Sequence, residues 1–206
     1  MEYITDRELL KSTLDEMGLS GRFDSPGLQF QLVEYHKGEL LVAPFKPMDR
    51  LLFLVRGRVS IYGLREDGSS FSVYLAGRSV LLGDVEFIRK EPLPFYTEAL
   101  EDVLCVSLST SLHRDRLEKD VRFLNFLLRS VADKFHMFFQ MGNPAQPVEE
   151  KLVAFLRDLQ PDHILHGMGP AIMQLRCSRS QLQRVVRKLC AEGVLEKLGK
   201  GEYRLV

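Results

Sequence analysis

Cys177-Ser178-Arg179-Ser180-Gln181-Leu182-Gln183-Arg184-Val185-Val186-Arg187-Lys188-Leu189 is the most informative stretch of this chain. Leu182, Val185, Val186 and Leu189 recur at helical spacing and make one apolar face. Ser178 stands where a helix N-cap belongs, so a helix over 178–191 is predicted. Ser178, Arg179, Gln181, Arg184 and Lys188 can all lie away from the apolar face. A helix showing those groups outward can enter a major groove, where Arg pairs bidentately with guanine and Gln with adenine. A solvated basic surface helix is the plainer alternative. The C-terminal end of the chain favours the groove. Leu195 to Val206 reads as two short strands around Gly199-Lys200-Gly201, with Lys197, Lys200 and Arg204 placed to touch backbone phosphate.

Working back from that helix, Gln160 to Gly169 reads as a polar loop and 148–159 as a helix with Leu152, Phe155, Leu156 and Leu159 inward. Pro147 suits a first helical position, and Gly142-Asn143-Pro144-Ala145-Gln146-Pro147 reads as a hinge. Before it lies a long helix, about 120–141. Val121, Leu124, Leu128, Val131, Phe135 and Phe138 follow heptad spacing along it, while Phe123, Phe126 and Leu127 make a second apolar face. Two faces imply two neighbours, one the protein's own strands and the other a second copy of the chain. From about Leu28 to Leu108 short apolar runs alternate with turns at Gly38, Gly57, Asp67-Gly68, Gly77 and Gly83, the pattern of antiparallel strands closing on themselves. A hairpin is expected around Asp67-Gly68. Residues 1–27 hold a short amphipathic stretch, Arg7 to Met17, and then a loop.

The 206 residues carry 28 basic and 28 acidic side chains, yet the charge is unevenly spread. Residues 151–206 hold ten Lys or Arg against five Asp or Glu, a net of +5, and all of that excess lies after Pro170. The remaining 18 basic and 23 acidic residues give the rest a net of −5. A basic end on an acidic body suggests one part that meets phosphates and another that does not. Apolar runs such as Leu51 to Val55 fall far short of the about 20 residues a membrane span needs. The acidic, polar start at Met1-Glu2-Tyr3 does not read as a secretion signal, so a cytoplasmic location is expected. Cys105, Cys177 and Cys190 are an odd set without a Cys-x-x-Cys pair, which argues against disulfides and zinc. A metal-dependent β-roll enzyme would need converging His and carboxylate ligands, and the strand region offers His36 alone. No enzymatic activity and no metal are expected.

The order of these features resembles the Crp–Fnr family of transcription regulators. Lys37-Gly38-Glu39, Leu51 to Gly57, Glu66-Asp67-Gly68 and Leu82-Gly83-Asp84 are similar to its roll signatures. Cys177-Ser178-Arg179 with Arg184 is similar to its recognition helix, and Ala191-Glu192-Gly193-Val194-Leu195 to its approach to the wing. The resemblance covers about residues 28–206. It implies an α+β chain in three parts: an antiparallel, jelly-roll-like β-roll that senses an effector (1–119), a dimerisation helix (120–142), and a winged helix-turn-helix (148–206). It implies a homodimer on a near-palindromic double-stranded DNA site, read through Ser178, Arg179, Gln181, Arg184, Lys188 and Lys200. RNA polymerase is a further candidate partner.

Three departures qualify the resemblance. Gly83-Asp84-Val85 stands where cyclic-nucleotide members carry Gly-Glu-Leu, and Leu93-Pro94-Phe95 stands at the place of their phosphate-pairing arginine. Without that cation a buried phosphate is costly, so cyclic AMP is not expected and the effector is left unnamed. Gly83, Asp84, Glu86, Tyr96 and Phe135 are the candidate pocket residues, although Phe87, Phe95 and Phe135 could instead fill the space. The chain also lacks the cysteine cluster of iron–sulfur members, and its five histidines show no convincing haem arrangement. Finally, Pro170 to Leu175 is short for the supporting helix of a helix-turn-helix, and Arg176 stands where the family turns on glycine. That shortness leaves open a sensor whose C-terminal part binds a protein rather than DNA. Cys177 could sense oxidation if the helix start and Arg179 lowered its pKa, though a small packed residue is the simpler reading. His136 reads as an exposed helix residue in preference to a pH or ligand sensor.

Overall fold

The computed structural model describes residues 1–64, 66, 68, 70–142, 146–160 and 162–206. The run Leu51–Val55 explains the roll. It lies in β4 (Arg50–Arg56), the fourth strand after β1 (Glu2–Ile4), β2 (Phe30–Tyr35) and β3 (Leu40–Val42), with helix α1 (Arg7–Glu16) and a 3-10 turn at Ser20–Arg22 before β2. Successive side chains of a strand point to opposite faces. Leu51 and Phe53 accordingly join one buried cluster, and Leu52 and Leu54 another. A strand covered on both faces reads as continuous apolar sequence rather than alternation.

The roll continues with β5 (Val59–Leu64), β6 (Ser70–Ala76), β7 (Leu81–Leu82), α2 (Asp84–Arg89), β8 (Tyr96–Ala99), β9 (Val103–Ser109) and α3 (Thr110–Leu117). Two antiparallel sheets result, ordered β1-β2-β9-β4-β7 and β3-β8-β5-β6. Strand β9 divides its residues as β4 does: Val103 and Cys105 face the second sheet, and Leu104, Val106 and Leu108 face the helices. β5 and β6 pair antiparallel, as the expected hairpin requires, while 65, 67 and 69 of its turn lie outside the described residues.

Helix α4 (Val121–Gly142) closes the roll. Phe123 and Leu127 are buried in the helix-side cluster, with Phe126 packed against it. Phe123 stacks on Phe23 at 5.5 Å between ring centroids and meets Phe87 edge-on at 5.4 Å. Phe87 therefore belongs to the core and does not fill the pocket. Positions 143–145 of the predicted hinge lie outside the described residues.

The C-terminal part comprises α5 (Val148–Ala154), a π-helical turn at Phe155–Leu159, β10 (Ile164–His166), α6 (Met168–Leu175), α7 (Arg179–Ala191), β11 (Leu195–Gly199) and β12 (Glu202–Leu205). Two expectations change here. The supporting helix forms over Met168–Leu175, and Arg176 takes the left-handed turn itself, at φ 50°. The region read as a polar loop contributes β10, which pairs with β12 and completes a three-stranded sheet, β10-β12-β11. Leu152, Phe155, Leu156, Leu175, Leu182, Val186 and Leu189 form this part's core, and Leu75 of β6 enters it from the roll. Mixed helices and antiparallel sheets, a β-roll, a long helix and a winged helix-turn-helix make this the predicted α+β class.

Candidate nucleic-acid interface and ligand pocket

Helix α7 packs through Leu182, Val186 and Leu189, so its opposite face is exposed from the first residue. Ser178 caps it as predicted. The Gln181 backbone N–H donates to Ser178 Oγ at 3.2 Å, and the Ser178 backbone N–H donates to Gln181 Oε1 at 2.8 Å. This capping box satisfies two amide groups that a helix start leaves unpaired. It also takes up one of the two acceptor positions of the Gln181 carbonyl oxygen and leaves its amide NH2 free to donate. Arg179 and Arg184 are exposed and, among the described residues, form no ion pair. Gln183 and Arg187, which sequence reading passed over, share the exposed face, and Arg187 Nε donates to the Gln183 carbonyl at 3.2 Å.

Lys188 differs from the expectation. Its Nζ donates to Glu149 Oε2 of α5 at 2.6 Å and lies 3.7 Å from Glu192, an arrangement that raises its pKa through the Glu149 hydrogen bond first. Lys188 sits near the far end of α7 and turns toward α5 rather than standing ready for phosphate. Lys200 is exposed at the tip of the β11–β12 hairpin, where Gly201 takes φ 82°. Cys177 is partly buried, and burial raises its thiol pKa against the opposing effect of Lys151. The lowered pKa that oxidation sensing would need is not found. His136 is exposed on α4.

On α4, four described residues of the heptad face are exposed. Val121 is 63% exposed, Leu124 38%, Leu128 67% and Phe135 64%, while Val131 is half-buried. The Phe138 side chain lies outside the described residues. Scattered exposed apolar residues are ordinary, but a helical stripe of them is not.

Between α4 and the roll lies a cavity of 320 Å³, lined by Gly83, Asp84, Glu86, Phe95, Thr97, Val131, Lys134 and Phe135 with aliphatic side chains of the strands. Gly83 starts α2 at φ 89°, and a Cβ there would come within 2.5 Å of the Arg50 carbonyl oxygen. Only glycine fits. Asp84 is almost wholly buried and closed on α4: Lys134 Nζ donates to both its oxygens at 2.6 Å, and Ser130 Oγ donates to it at 2.8 Å. Lys134 also donates to the Leu81 carbonyl. Sequence reading missed this clamp, although Ser130 and Lys134 stand four apart on one face of α4. Tyr96 does not line the cavity: it stacks on Tyr62 at 5.1 Å, and its neighbour Thr97 faces inward, as strand alternation demands.

Among the described residues, no three His, Cys, Asp or Glu side chains converge as metal ligands would, and no helix is long and apolar enough to cross a membrane. Residues 32–120 match the family model of the cyclic nucleotide-binding domain. The chain is 26% identical over 154 residues to the regulatory protein YeiL of Escherichia coli O157:H7, covering 73% of this chain and 70% of that protein. FixK2 from Bradyrhizobium japonicum has a similar structure, with a TM-score of 0.70 at 19% identity over 86% of this chain and 93% of its own. TTHA1359, a Crp/Fnr family transcriptional regulator from Thermus thermophilus, is similar with a TM-score of 0.63 at 18% identity, over 85% of this chain and 93% of its own.

Proposed function

We propose that this chain, which shares the fold of Crp–Fnr regulators and matches the cyclic nucleotide-binding domain over residues 32–120, is a transcription regulator of that type and works as a homodimer binding a near-palindromic DNA site. Residues 1–119 form the sensing part, 120–142 the dimerisation helix and 148–206 the DNA-binding part. The observation that carries the reading is the exposed face of α7, where Arg179 and Arg184 stand clear beside a capped helix start and a basic hairpin. The uncovered stripe Val121, Leu124, Leu128 and Phe135 supports pairing of two α4 helices. Two recognition helices would then enter successive major grooves about 34 Å apart. Arg179 and Arg184 read base edges, Ser178 and Lys200 hold backbone phosphate, and Gln181 offers its amide NH2 to a base edge. The protein acts in the cytoplasm, with RNA polymerase as a candidate partner on the promoter. Cyclic AMP is not its effector, because Leu93-Pro94-Phe95 puts no cation in the cavity and Lys134 is already held by Asp84.

Titration of duplexes tests this. Arg179→Ala or Arg184→Ala should cost about 1–3 kcal/mol on the selected site and relax base choice there. Equal losses on the selected site and on random duplex would show phosphate contact alone and contradict base reading.

A further inference from the structure

The cavity beneath α4 has a lopsided charge. Its walls are mainly apolar, with Val42, Ile61, Val73, Leu82, Leu93 and Phe95 from the roll. Among the described residues, three ionisable side chains line it: Asp84, Lys134 and Glu86. Asp84 and Lys134 neutralise each other at 2.6 Å, with Ser130 completing the pair. Glu86 is left over. Among the described residues the hydrogen bond it receives comes from its own backbone N–H. A carboxylate in such a place is short of a counter-charge, and an anion brought beside it meets repulsion as well as desolvation.

Resting on the reading of the roll as a sensor, we propose that the cavity takes a compact, largely apolar molecule bearing one protonated amine, which Glu86 receives. The aliphatic walls take the body of the ligand, while the Glu86 carboxylate accepts charge-assisted hydrogen bonds from the ammonium. The rings of Phe95 and Phe135 offer that cation a favourable electrostatic face. Burial raises the Glu86 carboxyl above its ordinary value and Asp84 adds to this, while its own N–H and Lys134 oppose without cancelling. A bound cation relieves that penalty. The ligand class is thus opposite in charge to a cyclic nucleotide. Phe135 and Val131 belong both to the cavity wall and to the heptad stripe, so occupancy bears directly on the packing of α4.

Calorimetric titration of the full chain tests the proposal with three amines (2-phenylethylamine, hexylamine and tryptamine), the neutral 2-phenylethanol, the anionic 3-phenylpropionate and cyclic AMP. At least one amine should bind, and 2-phenylethylamine should bind about tenfold or more tighter than its alcohol and carboxylate counterparts. Glu86→Gln keeps the shape and removes the charge; its melting transition should persist while the preference for amine over alcohol disappears. Equal binding of amine and alcohol, tighter binding of the carboxylate or cyclic AMP, a preference that survives Glu86→Gln, or no amine bound at millimolar concentration would each overturn it. No DNA is present in the titration. Loss of sequence-specific DNA binding with amine binding intact would therefore sink only the DNA reading.

Discussion

Asp120 shows how much one carboxylate can organise. It is buried, accepts from the Asp24 backbone N–H at both oxygens (3.0 and 2.9 Å) and from Ser25 at 2.8 Å, and caps α4 through the Phe123 N–H at 2.9 Å. Burial alone would raise its pKa; the hydrogen bonds from Asp24, Phe123 and Ser25 outweigh burial and hold it below the ordinary value. A lowered folded pKa means stability that is complete above the unfolded carboxylate pKa of about 3.9 and lost as pH falls through the folded value. Asp120→Ala should cost about 2–4 kcal/mol at pH 7, read from urea unfolding midpoints. The gap between variant and wild type should narrow as the solution is acidified below the carboxylate range; a gap independent of pH would show that charge plays no part. Individual side chains were legible in the sequence where a local rule governs them. Ser178 as a cap follows from its position before the apolar periodicity. Tyr96 and Lys188 did not yield to such rules, because strand phase sends Tyr96 outward and a partner 39 positions away, Glu149, draws off Lys188.

Helix α4 was legible almost whole, since its two apolar stripes could be read at a heptad period and each had to find a neighbour. The inner stripe has found the roll. Among the described residues of the outer stripe, Leu128 is the most exposed, at 67%. Leu128→Asp should leave the monomer folded and shift the proposed dimer toward monomer, with a loss of about 1.5–3 kcal/mol per protomer across a symmetric seam. Sedimentation equilibrium measures this, and an unchanged dimer would place the interface elsewhere. Short elements were the harder ones. β10 is three residues long, and its strand state depends on pairing with β12 some 40 residues later, so no local periodicity announces it. The same holds for β1, which pairs with β2, and for α6, whose left-handed stop is Arg176 instead of glycine.

Named contacts join the acidic roll to the basic C-terminal part. Leu75 reaches from β6 into the C-terminal core, and Arg58 grips both sides. Arg58 Nε and Nη2 donate to the two oxygens of Glu101 at 3.1 and 3.2 Å, and its Nη1 donates to Gln160 Oε1, beyond α5, at 3.1 Å. Gln160 is buried, so Arg58→Ala leaves its amide oxygen without this donor, at a cost of about 1–3 kcal/mol. Amide hydrogen exchange should quicken around Gln160 to His166 while β2 and β9 stay protected; uniform quickening would mean that the contact supports the roll itself. This contact joins the roll to the C-terminal part, and under the proposed reading an effector that shifts α4 would act by changing the population of that arrangement. The uneven charge visible in the sequence fits this division of labour, although the fit of one half against the other was not readable there.

The most direct test of the account is selection of bound duplexes from a random pool by the purified full chain, at two salt concentrations and with and without 2-phenylethylamine. An inverted repeat whose half-sites lie one helical turn apart is expected, bound more weakly at high salt as phosphate contacts release counterions. Enrichment of no sequence in any of these conditions, or of an unpaired half-site alone, would contradict a dimeric regulator reading DNA through α7.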